Sequence, residues 1–142
     1  MKLIETIINE KFEVFIEPGL NFDKNKTFLL KRFINFCIDE LNIEGTFKAY
    51  IVDDRKKYSI VTTAYYKEGK KELVVYGKNR MLGDIMRSIA HELTHKKQYE
   101  ENRVKHPVQD VGGEIEDEAN AKAGSIIKLF IKTDKDGDKI FY

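Results

Sequence analysis

His91-Glu92-Leu93-Thr94-His95 is the stretch on which the reading of this chain turns. In a helix, residues four apart lie one above the other, so His91 and His95 present two imidazoles to one side and Glu92 stands beside them. Two imidazoles can grip one divalent cation, and the carboxylate is placed to take a proton from an attacking water. The chain has only three histidines, so a pair at this spacing with a glutamate between them is a specific signal. The flanking pattern predicts a helix from about Arg80 to Asn102. At about 100° per residue, Ile85, Met86, Ile89, Ala90 and Leu93 form an apolar stripe, and His91 and His95 project roughly opposite it. Without a metal, the same pattern predicts two imidazoles on a solvated surface.

A catalytic zinc site usually takes three protein ligands and keeps one position for water, so a third donor is needed outside the pentad. Glu114-Ile115-Glu116-Asp117-Glu118 offers four acids at the start of a helix predicted over Glu114 to Ile131. Ile115, Ala119, Ala123, Ile126, Ile127 and Phe130 define its apolar stripe. Glu116 and Asn120 fall within that stripe, whereas Glu114, Asp117 and Glu118 point away. A carboxylate on the buried side of a helix costs free energy unless it is paired or bound to a metal, which singles out Glu116. Glu118 reads as a solvated charge. Asn120, one turn on, reads equally as a hydrogen-bond partner for a histidine ring and as a buried amide satisfied by backbone. Tyr99, one turn after His95, and His106, in the polar connection Arg103 to Gly113, are candidates for steadying a reaction intermediate. That connection reads equally as a lid and as an ordinary loop.

Around this centre the pattern is mixed. Lys11 to Glu17 alternates as a strand ended by Pro18-Gly19, and Asn25 to Leu41 repeats at helical spacing. Thr46 to Val52, Ser59 to Tyr66 and Lys71 to Tyr76 read as strands, the last two joined by Lys67-Glu68-Gly69-Lys70 as a hairpin. Leu3 to Ile8 is ambiguous between helix and strand. The tail after Thr133 reads as a charged turn and a short final strand. Asp134-Lys135-Asp136-Gly137-Asp138 has the opening of a calcium loop but not its full ligand set, and is read as a turn. The expected class is α+β, with a small antiparallel or mixed sheet and residues 1–142 as a single domain.

Composition narrows the function. The 142 residues are 42% hydrophobic, with nine Phe and seven Tyr, enough for one compact core. Lys and Arg number 25 against 24 acids, a formal net charge of +1, so no global field draws nucleic acid or a membrane surface, and neither is expected as a partner. The N-terminus does not read as a secretory signal, and no apolar run approaches membrane-spanning length. Cys37, alone and within a helical apolar pattern, reads as a packed thiol in a reducing compartment. A cytoplasmic location is expected. The oligomeric state is open, and a monomer is compatible with everything above.

The two motifs together resemble the zincin metallopeptidases, and more narrowly the gluzincins, in which His-Glu-x-x-His is followed by Glu-x-x-x-Asp on a later helix. Here they are His91 to His95 and Glu116-Asp117-Glu118-Ala119-Asn120. The terminal Asn, followed by the small residues among Ala121 to Gly124, is similar to the ImmA/IrrE-type branch and related small zincins of bacteria and phages. The resemblance covers about residues 71 to 130. It implies a zincin-like minimal metallopeptidase domain that holds one Zn2+ through His91, His95 and Glu116, uses Glu92 as general base, and hydrolyses a protein or peptide. In that family the strand before the active-site helix is a sheet edge that pairs with extended substrate, which implies Lys71 to Tyr76 here. The competing expectation is a non-catalytic zincin-fold module that binds a partner along its sheet edge in a bacterial or phage system. An intact Glu92 favours catalysis, since a purely structural site needs no proton acceptor.

Overall fold

The computed structural model describes residues 11–104 and 113–141. The ambiguous segment Leu3 to Ile8, as well as His106 and most of the loop around it, lies outside the described residues. Strand β1 (Phe12–Ile16) leads into helix α1 (Lys24–Leu41), then β2 (Phe47–Val52), β3 (Ala64–Lys67), β4 (Glu72–Tyr76), α2 (Leu82–Glu100) and α3 (Glu114–Thr133). Four strands and three helices make a mixed α/β arrangement that agrees with the expected α+β class.

The helices begin and end where local chemistry allows. Asp23 caps α1 by accepting from the Lys26 amide at 2.7 Å, and Asn42 ends it in the left-handed region with φ 56°. The first turn of α3 carries Glu114, Glu116 and Asp117, where carboxylates complement the unpaired amides.

The sheet order is β1-β2-β4-β3, with β1, β2 and β4 parallel and β3 antiparallel to β4. This corrects the expectation that Lys71 to Tyr76 forms the edge. β4 is interior, and among the described residues the edge strands are β1 and, on the helix α2 side of β4, β3. The reason is in the side chains: Leu73, Val74 and Val75 are all buried, as a strand covered on both faces and both flanks requires, while Ala64, Tyr65, Tyr66 and Lys67 are half-buried or exposed. Most of the predicted strand over Ser59 to Tyr66 is not strand. Asp54 accepts from the amides of Lys56 and Lys57, Ser59 adopts φ 57°, and the Ile60 amide returns to the Arg55 carbonyl, so this segment folds into turns.

One face of the sheet, carrying Phe12, Val14, Ile16, Phe47, Ala49, Ile51, Leu73 and Val75, builds the main core with α1 and α2. Phe33 and Phe36 of α1 meet Phe130 of α3 edge-on at 5.1 and 5.5 Å, drawing the third helix onto the same core. Cys37 is fully buried there, and burial pushes its thiol pKa well up.

The tail forms a 3-10 helix (Gly137–Phe141), not a strand. The Asp134 to Asp138 segment is a turn occupied by a cation of the chain itself: the Arg32 guanidinium bonds both Asp134 oxygens at 3.0 Å and Asp136 at 2.9 Å. No helix among the described residues is long and apolar enough to cross a membrane.

Candidate metal centre

Helix α2 is covered on two sides. Its stripe of Ile85, Met86, Ile89, Ala90 and Leu93 is fully buried in the core, and the histidine face turns toward α3. The imidazoles are therefore not on a solvated surface: His95 is 5% exposed, and the His91 side chain 19%. Their rings stand edge to face with centroids 4.8 Å apart.

Glu116, in the first turn of α3, reaches both. Its Oε1 is 2.5 Å from His91 Nε2 and 3.5 Å from His95 Nε2. The three ligand atoms lie within 4.8 Å of one another. Atoms bound at zinc distances in a tetrahedron are about 3.3–3.6 Å apart, so the His95 to Glu116 separation already suits one ion. The shorter His91 to Glu116 contact is a hydrogen bond whose proton an ion would displace. Burial, and then the neighbouring His95, lower the pKa of His91, which keeps its ring neutral and able to donate a lone pair. The donor set of two imidazoles and a carboxylate fits a divalent cation of borderline softness such as zinc.

Glu92 is half-buried beside this cluster. Burial, reinforced by the charge of Glu116, pushes its carboxyl pKa up to about 8. A carboxyl with that affinity for a proton is suited to accept and return one near neutrality.

The groups holding the imidazoles are only partly those expected. Asn120 is exposed rather than set in the apolar stripe, and its side chain lies close enough to His91 to favour the protonated ring, against the effect of burial. Glu118 is not the solvated charge expected of it: it accepts from Gln98 Nε2 and from Arg103 Nη1, each at 2.8 Å, and these bonds, Gln98's first, hold its pKa below the usual carboxylate range. Its carboxylate serves the amide of Gln98 and is not among the clustered ligand atoms.

Gln98 is the residue that sequence reasoning missed. It is fully buried, one turn after His95, and its Oε1 lies 2.7 Å from His95 Nδ1. Its Nε2 donates to the Ile115 carbonyl at 3.1 Å and to Glu118. Both amide hydrogens are thus committed to acceptors, so the oxygen faces the ring and His95 carries its proton on Nδ1. That leaves the Nε2 lone pair directed at the cluster. A glutamine three residues past the second histidine, on the histidine side of the helix, was the signal available in the sequence.

Tyr99 lies farther along the same helix, its ring 6.1 Å from that of Tyr66 on β3. Compared with family models, with curated proteins and with solved structures, the chain matches none of them.

Proposed function

We propose that this protein is a zinc-dependent peptide hydrolase of zincin-like fold and gluzincin type, resembling the ImmA/IrrE-like enzymes. The observation that carries the proposal is the meeting of His91 and His95 on α2 with Glu116 on α3, beside a half-buried Glu92. His91, His95 and Glu116 would hold one zinc ion. When bound, zinc supplies Lewis acidity, polarising a scissile carbonyl and making water a stronger acid.

The chain's own groups do the rest. Glu92 accepts the proton of the attacking water on its carboxylate and returns it to the departing amine. Gln98 and Asn120 keep the two imidazoles in the orientation and tautomer that ligation needs. The side of β3 that pairs with no strand among the described residues offers backbone donors and acceptors to an extended peptide, so binding relies on main-chain pairing as well as side-chain contacts.

A partner-binding module without catalysis would use the same sheet edge. Glu92, placed beside the ligand set as a proton acceptor that a purely structural site does not need, favours the enzyme. Metal analysis of the purified protein, paired with a chelator-sensitive cleavage assay on a peptide library, tests the proposal. Stoichiometric zinc with cleavage that chelator abolishes supports it. Zinc-loaded protein that hydrolyses no peptide refutes it.

A further inference from the structure

The face of α2 that carries the histidines continues toward its N-terminus. Ser88 precedes His91 by three residues and shares its side of the helix. Two contacts show that β3 runs alongside this face in the direction of α2: Thr63 Oγ1, at the head of β3, is 3.4 Å from Ser88 Oγ, and Tyr66 meets Tyr99 two to three turns farther on. The metal cluster lies between those contacts, with β3 on one side and α3 on the other.

The end marked by Ser88 is cationic. Arg80 Nη2 donates to Ser88 Oγ at 2.9 Å and to the Asp84 carbonyl at 2.9 Å, and Nη1 donates to the Tyr76 carbonyl at 2.7 Å. Every acceptor is neutral. Among the described residues no carboxylate hydrogen-bonds this half-buried guanidinium; burial lowers its pKa, against the nearby charge of Asp84. Arg55 stacks on Tyr76 at 4.6 Å and adds a second positive charge near Arg80. On the opposite wall exposed Arg87, one turn before His91, lies over Gly124 of α3. Asp84 is the one acid on this stretch of α2, and three arginines outnumber it.

Resting on the hydrolase reading above, we propose that Arg80, Ser88 and Thr63 form a specificity subsite next to the metal cluster that takes an acidic side chain of the substrate. A guanidinium with two of its five N–H groups still uncommitted gains a directly hydrogen-bonded carboxylate when such a peptide binds. The paired hydroxyls of Ser88 and Thr63 add a polar floor beside that guanidinium. A peptide pairing antiparallel to β3 runs from Tyr66 toward Thr63, which puts the residue after the scissile bond at this subsite.

The test uses zinc-loaded full-length protein carrying Glu92→Gln, so that peptides are not consumed. Octapeptides retained from a random library are sequenced, and matched Glu and Gln versions of the best binder are titrated by fluorescence anisotropy. The Glu peptide is expected to bind roughly tenfold or more tightly than its Gln twin, the discrimination one hydrogen bond to a charged group sustains. Ser88→Asp, which gives Arg80 an internal partner, should abolish that difference, as should Arg80→Gln. Equal binding of the twins, no binding, or a preference that survives both substitutions overturns the subsite. If the preference is present and abolished as expected while the wild-type protein hydrolyses neither peptide, the subsite stands and the hydrolase reading falls.

Discussion

Gln98 accepts the Nδ1 proton of His95 at 2.7 Å, one helical turn away on α2, while its own amide hydrogens are held by Ile115 and Glu118 of the neighbouring helix. The first turn of α3 therefore reaches the histidine pair twice, directly through Glu116 and indirectly through this amide. Gln98→Leu keeps much of the volume but leaves the His95 Nδ1–H without its acceptor and takes a donor from Glu118. Zinc affinity should fall roughly 10- to 100-fold, the usual effect of losing such a supporting hydrogen bond, as read by competition with a chromophoric chelator. Unchanged affinity would mean that core packing alone orients His95.

Glu92→Gln preserves size and removes the proton acceptor. Zinc content should match that of the wild type, while peptide turnover falls by about 10² to 10⁴, the span general-base catalysis contributes. The measurement is single-turnover cleavage at saturating enzyme beside metal analysis of the same sample. Turnover at the wild-type rate would remove Glu92 from the mechanism.

Glu116 and Glu118 of α3 separate cleanly. Glu116→Gln replaces a charged oxygen that contacts both imidazoles and should weaken zinc binding by far more than Glu118→Gln, which loses only the support of Gln98 and Arg103. Parallel metal titrations of the two variants decide this, and a larger loss at residue 118 would reverse the assignment.

Acid stability should depend on Arg32. Its hydrogen bonds hold the Asp134 carboxyl below its ordinary value of 3.8. A depressed folded-state pKa contributes stability that is present above the unfolded value and disappears as pH falls through the folded one. Arg32→Met should therefore cost about 1 kcal/mol near neutrality, discounted for an ion pair that solvent partly screens. The gap in melting temperature should close as pH falls below the ordinary 3.8 and through the lowered value of Asp134. A gap that persists in strong acid would assign the loss to packing of the arginine stem.

Gly137 begins the final 3-10 helix against the backbone of α3, where a Cβ would come within 2.6 Å of the Ile131 carbonyl oxygen. Gly137→Ala forces backbone to move and should destabilise by roughly 1–3 kcal/mol in urea unfolding. Wild-type stability would show that the tail can shift at no cost.

Much of this was legible in one dimension because helical periodicity is a local property. The stripe Ile85, Met86, Ile89, Ala90 and Leu93 is buried as its spacing predicts, as are Ala119, Ala123, Ile126, Ile127 and Phe130 of α3. The edge strand was misplaced because order within a sheet is set by which strand can bury both faces. The uninterrupted Leu73-Val74-Val75 carried that information, and proximity to the helix did not.

By itself, then, the sequence determined which side chains could act, since residues four apart on a helix must share a face and a run of acids opening a helix must offer carboxylates there. The helical face had already singled out Glu116 among its neighbours; only the tertiary structure brought its carboxylate against the two imidazoles and set Gln98 and Glu118 behind them. Those contacts join separate helices whose relative rotation and offset follow from packing α2 and α3 on a common core, which is a property of the whole chain rather than of any segment of it.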